Sequence, residues 1–373
     1  MSKITNDYTQ PLSVLDVHLD KVAQNYLSFR KRLKQGADCA AVVKADAYGL
    51  GAAEVSRALF DQECRHFFVA HFDEAQAVRA AVPEKDAVIY VLNGPFGATA
   101  REFAAGGFVP VLNSPGDIAY WADFAKNSGQ KQPAIIHIDT GMNRLGLSSG
   151  EAAALAADTG VLKPLDIRYV MSHLACGDEP SHPMNGEQLE RFRELAQALG
   201  LPLRLSFANS AGILLGPDYH FDLVRPGCGL YGIHPQSEGE NPMAGAVTLK
   251  ARIVQTRGID ISSTIGYGAA YRAASPVNCA TVSAGYADGY LRSLTGRGKV
   301  FIGGIACPVL GRVSMDSIVV DTTALTAKPQ AGDWAEIIGP HQTVDEVAAQ
   351  AGTIGYEILT SLGKRYRRQY TGH

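Results

Sequence analysis

No run of 18 apolar residues occurs in this 373-residue chain, so nothing in it reads as a membrane-spanning helix. The opening MSKITNDYTQ lacks a basic region followed by an apolar one, and the expected location is the cytoplasm. The six cysteines, Cys39, Cys64, Cys176, Cys228, Cys279 and Cys307, include no CxxC pair and no histidine at metal-ligand spacing, so no metal is expected. Several sit in apolar runs, where free cysteine behaves as a small buried hydrophobe, which suits a reducing compartment. Charge of one sign is also missing: the formal net charge is −3 and the basic residues are dispersed, so no nucleic-acid footprint appears before KRYRRQY at 364–370. That short cluster reads as a solvated terminal strand or an oligomer contact. No GxGxxG follows the first apolar run, which argues against a dinucleotide-binding doubly wound sheet.

What is present is alternation. From about residue 37 to residue 233, eight β-rich runs (CAAVVKA, HFFVAHF, AVIYVLN, FVPVLN, AIIHIDT, RYVMSHL, LRLSFAN and FDLVRPG) alternate with Ala-rich or amphipathic stretches. In 185–199, for example, Leu189, Phe192, Leu195 or Ala196, and Leu199 recur at helical spacing. Eight such units predict a (β/α)8 barrel, an α/β fold of the TIM type. After HPQSEGENPMAG (234–245) the pattern changes to strands with turn residues and hardly a helix before Thr343. At this length two domains are expected: a barrel over 11–240 and a mainly β domain over 241–373, with residues 1–10 joining the latter as an edge strand.

Barrels of this kind place their chemistry at the C-terminal strand ends. Polar residues fall at or near five of those ends: Lys44, Arg144, His173, Asn209 with Ser210, and Arg225 with Gly227. The last two loops form the usual phosphate corner, here offering the Ser210 hydroxyl and backbone N–H groups around Gly227 and Cys228. A lysine facing such a corner suits a phosphate-bearing aldehyde held as a Schiff base, and pyridoxal 5'-phosphate is the common cofactor of that description.

The segment AVVKADAYGLG (41–51) closely resembles the cofactor-attachment segment of bacterial alanine racemases. HIDTGMNRLG, SHLACGDE, FANSAG, VRPGCGLYG, IGYGAAY, SAGYADGY, LGRVSMD and IGYEILTSLGKR resemble that family's other blocks, in its order, from about residue 12 to residue 370. The resemblance implies that Lys44 is both the Schiff-base lysine and one catalytic base. It implies that Tyr267 is the second base, supplied by the partner subunit of a homodimer. It places Tyr48, Ser210, Gly227, Cys228 and Tyr356 around the phosphate and His173 and Arg225 beside the pyridine ring. Arg144 and the Met315 backbone N–H then meet the substrate carboxylate, and Tyr286 stands at the mouth of the substrate channel.

Racemisation removes the Cα proton from one face and returns one to the other, so two groups on opposite sides serve it better than one. Lysine and tyrosine have ordinary pKa values near 10 and need cations or desolvation to act near neutrality; Arg144, Arg225 and Arg292 are the cations at hand. An arginine beside the ring nitrogen stays charged, which makes the ring a weaker electron sink than one paired with a carboxylate and favours racemisation over transamination. One departure stands out. Many members carry a carbamylated lysine seven residues before the GMxRLG arginine, where this chain has His137, so Arg144 must be held otherwise: by Asp139, by an anion or by His137 itself. A serine or broad-specificity racemase shares these blocks, as does a decarboxylase on the same two-domain plan. A non-catalytic pyridoxal-phosphate carrier resembles the barrel alone and has no use for IGYGAAY or RVSMD, and an oligomerisation protein with a vestigial barrel leaves the joint presence of Lys44, Ser210 and Arg225 unexplained.

Overall fold

The computed structural model describes residues 10–372, which fall into two compact units: Val22–Ala244, and the residues up to Lys21 together with those from Gly245 onward. The expectation of an edge strand within residues 1–10 lies almost wholly outside the described residues. Among the described residues no helix is long and apolar enough to cross a membrane.

In chain order the strands are β1 (Ser13–His18), β2 (Asp38–Cys39), β3 (Ala41–Val42), β4 (His66–Val69), β5 (Val88–Val91), β6 (Phe108–Leu112), β7 (Gln132–His137), β8 (Leu165–Met171), β9 (Leu205–Asn209) and β10 (Leu223–Arg225). These are followed by β11 (Val247–Ile259), β12 (Thr264–Ile265), β13 (Tyr271–Arg272), β14 (Val277–Val282), β15 (Lys299–Ile302), β16 (Ile305–Leu310), β17 (Ile318–Asp321), β18 (Trp334–Ile338) and β19 (Arg367–Thr371).

In the first unit β2 to β10 form a parallel sheet in the order β2-β10-β9-β8-β7-β6-β5-β4-β3. Its two ends, β2 and β3, are successive halves of one apolar run, so the sheet closes on itself as the eight-strand barrel. All eight runs named above are strands in it. They read as continuous apolar segments, not as alternating ones, because a parallel sheet under helices is buried on both faces; β6 is buried at every position. The helices between strands carry explicit end signals. Pro115–Ser128, for instance, starts after Ser114, whose side chain caps Asp117 N–H, and stops at Gly129 in the left-handed region.

The second unit is built on an eight-stranded sheet in the order β14-β17-β16-β15-β18-β11-β1-β19, with the β12–β13 pair and the helices Val344–Ala351 and Gly355–Thr360 beside it in sequence. Its spine is β11, which pairs with β1 and β18 over its first half and with β14 over its second, the register shifting between Ile253 and Gln255. The burial of β11 alternates through Ile253, the period-2 pattern of a strand with one face on a core. β1 corrects the expected start of the barrel at residue 11: it pairs antiparallel with β11 and parallel with β19. Its backbone hydrogen bonds go to that sheet, and the boundary between units falls inside the helix that follows, Leu19–Arg32. The basic cluster at the C-terminus becomes β19, an edge strand whose positions are exposed or half-buried.

Candidate active site

The site is built first by a backbone conformation that the sequence does not announce. Directly after Lys44, the residues Ala45, Asp46, Ala47 and Tyr48 have φ of 52°, 55°, 52° and 58°, a full left-handed turn with no glycine in it. Left-handed helical geometry costs an L-residue about 1–2 kcal/mol, so a run of four persists only where surrounding contacts over-determine it. Those contacts are present. Glu74 Oε1 accepts from the Ala45 N–H at 2.6 Å, and its Oε2 accepts from the Ala70 and His71 N–H groups at 2.7 and 3.2 Å. Asp46 Oδ1 accepts from the Ala52 N–H at 2.8 Å. The turn leaves Lys44 half-buried at the strand end and folds Tyr48 back inside, its ring centroid 4.7 Å from that of Tyr231.

Burial, and after it the charge of Arg144, pulls the Lys44 pKa below that of an ordinary lysine, with Glu74 opposing. A lysine in this state yields its neutral, nucleophilic form closer to neutral pH.

Across the barrel mouth lie the ends of β9 and β10, where the sequence predicts a phosphate corner. Ser210 is buried, and its Oγ accepts from the N–H groups of Gly227 at 2.8 Å and Gly229 at 3.3 Å, so one hydroxyl organises this loop. A Cβ on Gly227 would lie 2.5 Å from the Tyr48 hydroxyl. Only glycine therefore lets the Tyr48 hydroxyl and the loop backbone converge, and Cys228 follows it, buried. Burial raises the Tyr48 pKa, so its hydroxyl stays a donor. Hydroxyls and backbone N–H groups drawn together in this way fit a phosphate ester. Gly227→Ala is expected to weaken cofactor retention at least tenfold (about 1.4 kcal/mol), read as cofactor absorbance remaining after dialysis, with the thermal midpoint as a control for folding.

Arg225 stands where the β10–β9 register shifts, an irregularity of the kind that re-aims side chains near sites. It is buried, and its guanidinium donates to Ser206 Oγ, to the Ser172 carbonyl at 2.7 Å, to the Phe207 carbonyl at 3.3 Å and to His173 Nδ1 at 3.3 Å. No carboxylate is among these partners. Burial draws its pKa downward from the ordinary value, but a delocalised cation held by four acceptors remains charged. Because a guanidinium has only donors, His173 Nδ1 must accept, and the His173 proton sits on Nε2. Burial, with Arg225 beside it, keeps that imidazole neutral.

His137 has the opposite tautomer. Asn113 Nδ2 donates to the Leu92 and Val111 carbonyls at 2.9 and 3.1 Å, which turns the Asn113 amide oxygen toward His137 Nδ1, 2.8 Å away. Nδ1 therefore donates and Nε2 carries the lone pair. Burial and the Arg225 charge push the His137 pKa down to about 4, so the ring is neutral and supplies neither a carboxylate-like charge nor a positive one. Asp139 is not what holds Arg144. Its carboxylate is spent on the Gly141 and Asn143 N–H groups of its own turn, at 2.9 and 3.1 Å. Arg144 is exposed and has no hydrogen-bond partner among the described residues, a cation left available to an anionic ligand.

His137 also fixes an acid sensitivity. Its folded pKa lies below the unfolded value near 6.5, so the unfolded chain binds a proton in the window between 6.5 and 4 that the folded chain refuses. Stability is full above that window and falls as pH drops through it, by about 2 kcal/mol at pH 5. Thermal unfolding at pH 7.5 and pH 5 is expected to show a larger drop for wild type than for His137→Gln.

The second unit carries the remaining expected residues, each unusually exposed for its type: Tyr267 at 72%, Met315 at 52%, Tyr286 at 42% and Tyr356 at 37%. Tyr267 sits in a short turn between Gly266 and Gly268, both at positive φ, and a Cβ on Gly268 would lie 2.9 Å from the Arg312 guanidinium. Tyr286 and Ala287 donate their N–H groups to the Ser314 and Met315 carbonyls at 3.0 Å each, so the Tyr286 turn and the Met315 loop are zipped together. The expected residues thus divide between the units: Lys44, Tyr48, Arg144, His173, Ser210, Arg225, Gly227 and Cys228 in the barrel, and Tyr267, Tyr286, Met315 and Tyr356 in the β unit.

Two family profiles match the chain: "Alanine racemase, N-terminal domain" over residues 17–235 and "Alanine racemase, C-terminal domain" over residues 246–370. The chain belongs to the alanine racemase family. A catabolic alanine racemase of Agrobacterium fabrum is 47% identical over 95% of this chain and 91% of its own, and an alanine racemase of Rhodospirillum rubrum is 46% identical over 96% of each. Among solved structures, that of alanine racemase from Bartonella henselae, with covalently bound pyridoxal phosphate, has a TM-score of 0.94 at 41% identity, covering 97% of this chain and all of that one. The biosynthetic alanine racemase of Pseudomonas aeruginosa gives a TM-score of 0.88 at 34% identity, over 97% of this chain and all of its own. Sequence reasoning missed several residues that shape these surroundings: Glu74, Asn113 and Ser206 in the barrel, and Asp288 in the β unit. Each acts by accepting or donating within the scaffold, and only Glu74, three residues after the helix-leading His71, has a local sequence signal.

Proposed function

We propose that this chain interconverts L- and D-alanine as a pyridoxal-5'-phosphate-dependent homodimer, with Lys44 of one subunit and Tyr267 of the other as the two bases. The observation that carries this reading is Lys44 held half-buried at a barrel strand end, opposite the loop that Ser210 and Gly227 organise, in a chain of this family.

In this reading Lys44 holds the cofactor, Tyr48, Ser210, Gly227, Cys228 and Tyr356 hold its phosphate, and His173 and Arg225 lie beside its ring. When bound, the cofactor supplies the electron-withdrawing group that acidifies the substrate Cα–H. Lys44 Nζ takes or returns the Cα proton on one face. The Tyr267 hydroxyl does so on the other. Arg225, held by neutral acceptors, offers the ring nitrogen a charged donor that does not give up its proton, which restrains electron withdrawal into the ring and keeps the reaction to proton exchange. Arg144 and the Met315 N–H orient the substrate carboxylate, and the bulk of Tyr267, Tyr286 and Tyr356 limits the side chain to one the size of alanine.

Exposed Tyr267, Tyr286, Met315 and Ile354 in the β unit support a second copy as the covering partner. Six free cysteines support a reducing, cytoplasmic setting, where D-alanine feeds peptidoglycan synthesis or alanine is catabolised. The test follows optical rotation from pure L- and pure D-alanine. Both must converge on the racemate, with serine converted much more slowly; failure of either enantiomer to convert overturns the reading.

A further inference from the structure

Three segments of the β unit meet at one guanidinium. The Tyr286 turn ends in Asp288, buried, whose Oδ2 accepts from the Gly285 N–H at 2.9 Å. The Met315 loop ends in Asp316, exposed. The segment leaving the helix Gly355–Thr360, which carries Tyr356, contains Arg365. Arg365 Nε donates to Asp288 Oδ1 at 2.7 Å, its Nη2 to Asp288 Oδ2 at 2.8 Å and its Nη1 to Asp316 Oδ1 at 2.6 Å.

The surrounding backbone is as tight. The Gly363 N–H donates to the Asp288 carbonyl at 3.0 Å, and a Cβ on Gly289 would lie 2.3 Å from the Ser361 carbonyl oxygen. The strand leading into the Tyr267 turn abuts the same loop: a Cβ on Gly311, four residues before Met315, would lie 2.6 Å from the Ile265 carbonyl oxygen.

We propose that Arg365 is the positioning residue for the β unit's share of the site, fixing the Tyr286 turn and the Met315 loop against the segment that carries Tyr356. This rests on the functional reading above for what those residues do. An exposed ion pair contributes little stability, so the Arg365–Asp316 contact is placed to hold geometry. The Asp288 carboxylate is buried and needs the planar fork; lysine brings the charge without the two parallel hydrogen bonds.

The test uses the full-length holoenzyme and two variants, Arg365→Lys and Asp316→Asn. The second removes a charge from an exposed side chain and is expected to fold as wild type. Arg365→Lys is expected to raise KM for both alanine enantiomers about tenfold and Asp316→Asn about threefold, the range of a lost charge-assisted hydrogen bond. In both, kcat changes less than KM, and cofactor absorbance and dimer mass are retained. Independently of turnover, backbone amide exchange at Tyr286 and Ala287 is expected to accelerate in Arg365→Lys. Unchanged exchange there, or a KM rise that merely tracks loss of cofactor or dimer, overturns the proposal. If wild type does not convert alanine, it is the functional reading that has failed, and the exchange measurement still decides the role of Arg365.

Discussion

Lys44→Ala is expected to leave alanine unconverted in both directions, a loss of about four orders of magnitude or more, since in the proposed function it removes the cofactor's covalent anchor and one base together. The effect separates from misfolding. Lys44 is only half-buried, and the left-handed turn behind it is held by Glu74 and Asp46, neither of which touches the lysine side chain through a hydrogen bond. The thermal midpoint of the variant should therefore stay near that of the wild-type apoprotein. Borohydride treatment of wild type should fix the cofactor to the peptide containing Lys44, and in the variant to none. Cofactor fixed at another lysine in wild type would remove Lys44 from its role.

Tyr267→Phe is expected to lower turnover by about two to four orders of magnitude, the range for removing a positioned acid or base, while leaving cofactor content and fold intact. The side chain is largely exposed in the single chain, so its hydroxyl contributes nothing to packing there. The variant also tests the shared site. If the tyrosine acts on the partner's cofactor, mixing Lys44→Ala with Tyr267→Phe under conditions that exchange subunits creates heterodimers in which one of the two sites is wild type. Random exchange restores about a quarter of wild-type activity from two inactive proteins. No recovery, with exchange confirmed by mass, would place Tyr267 and Lys44 in one subunit or remove Tyr267 from the chemistry.

The barrel was legible because burial on both faces of a parallel sheet writes itself into sequence as apolar runs, and each of the eight runs is a strand. The polar strand ends were legible for a related reason: Lys44, His173 and Arg225 interrupt such runs where a merely structural strand would end in a turn residue. Other features escaped. The first run is broken into β2 and β3, and nothing in CAAVVKA marks the break. Ala45–Tyr48 contain no glycine to signal positive φ; their conformation is imposed by Glu74, from a helix some thirty residues downstream, and so belongs to tertiary structure. β1 looks like a barrel strand by composition and is assigned to the other sheet only by its partners β11 and β19. His137 shows both sides. Its departure from the family's lysine was visible in sequence, whereas its neutral state depends on burial and its tautomer on Asn113, which only coordinates reveal.

In the proposed function one protein removes the Cα proton from one face of alanine and returns a proton to the other. The most direct test incubates the pyridoxal-phosphate-loaded protein with L-alanine in D2O and follows Cα deuterium and chirality together from the first turnovers. The expected product is D-alanine carrying deuterium at Cα, formed from the outset and approaching an equal mixture of enantiomers. Deuterium entering L-alanine with no D-alanine formed would mean exchange on one face only. That result would contradict the two-base reading.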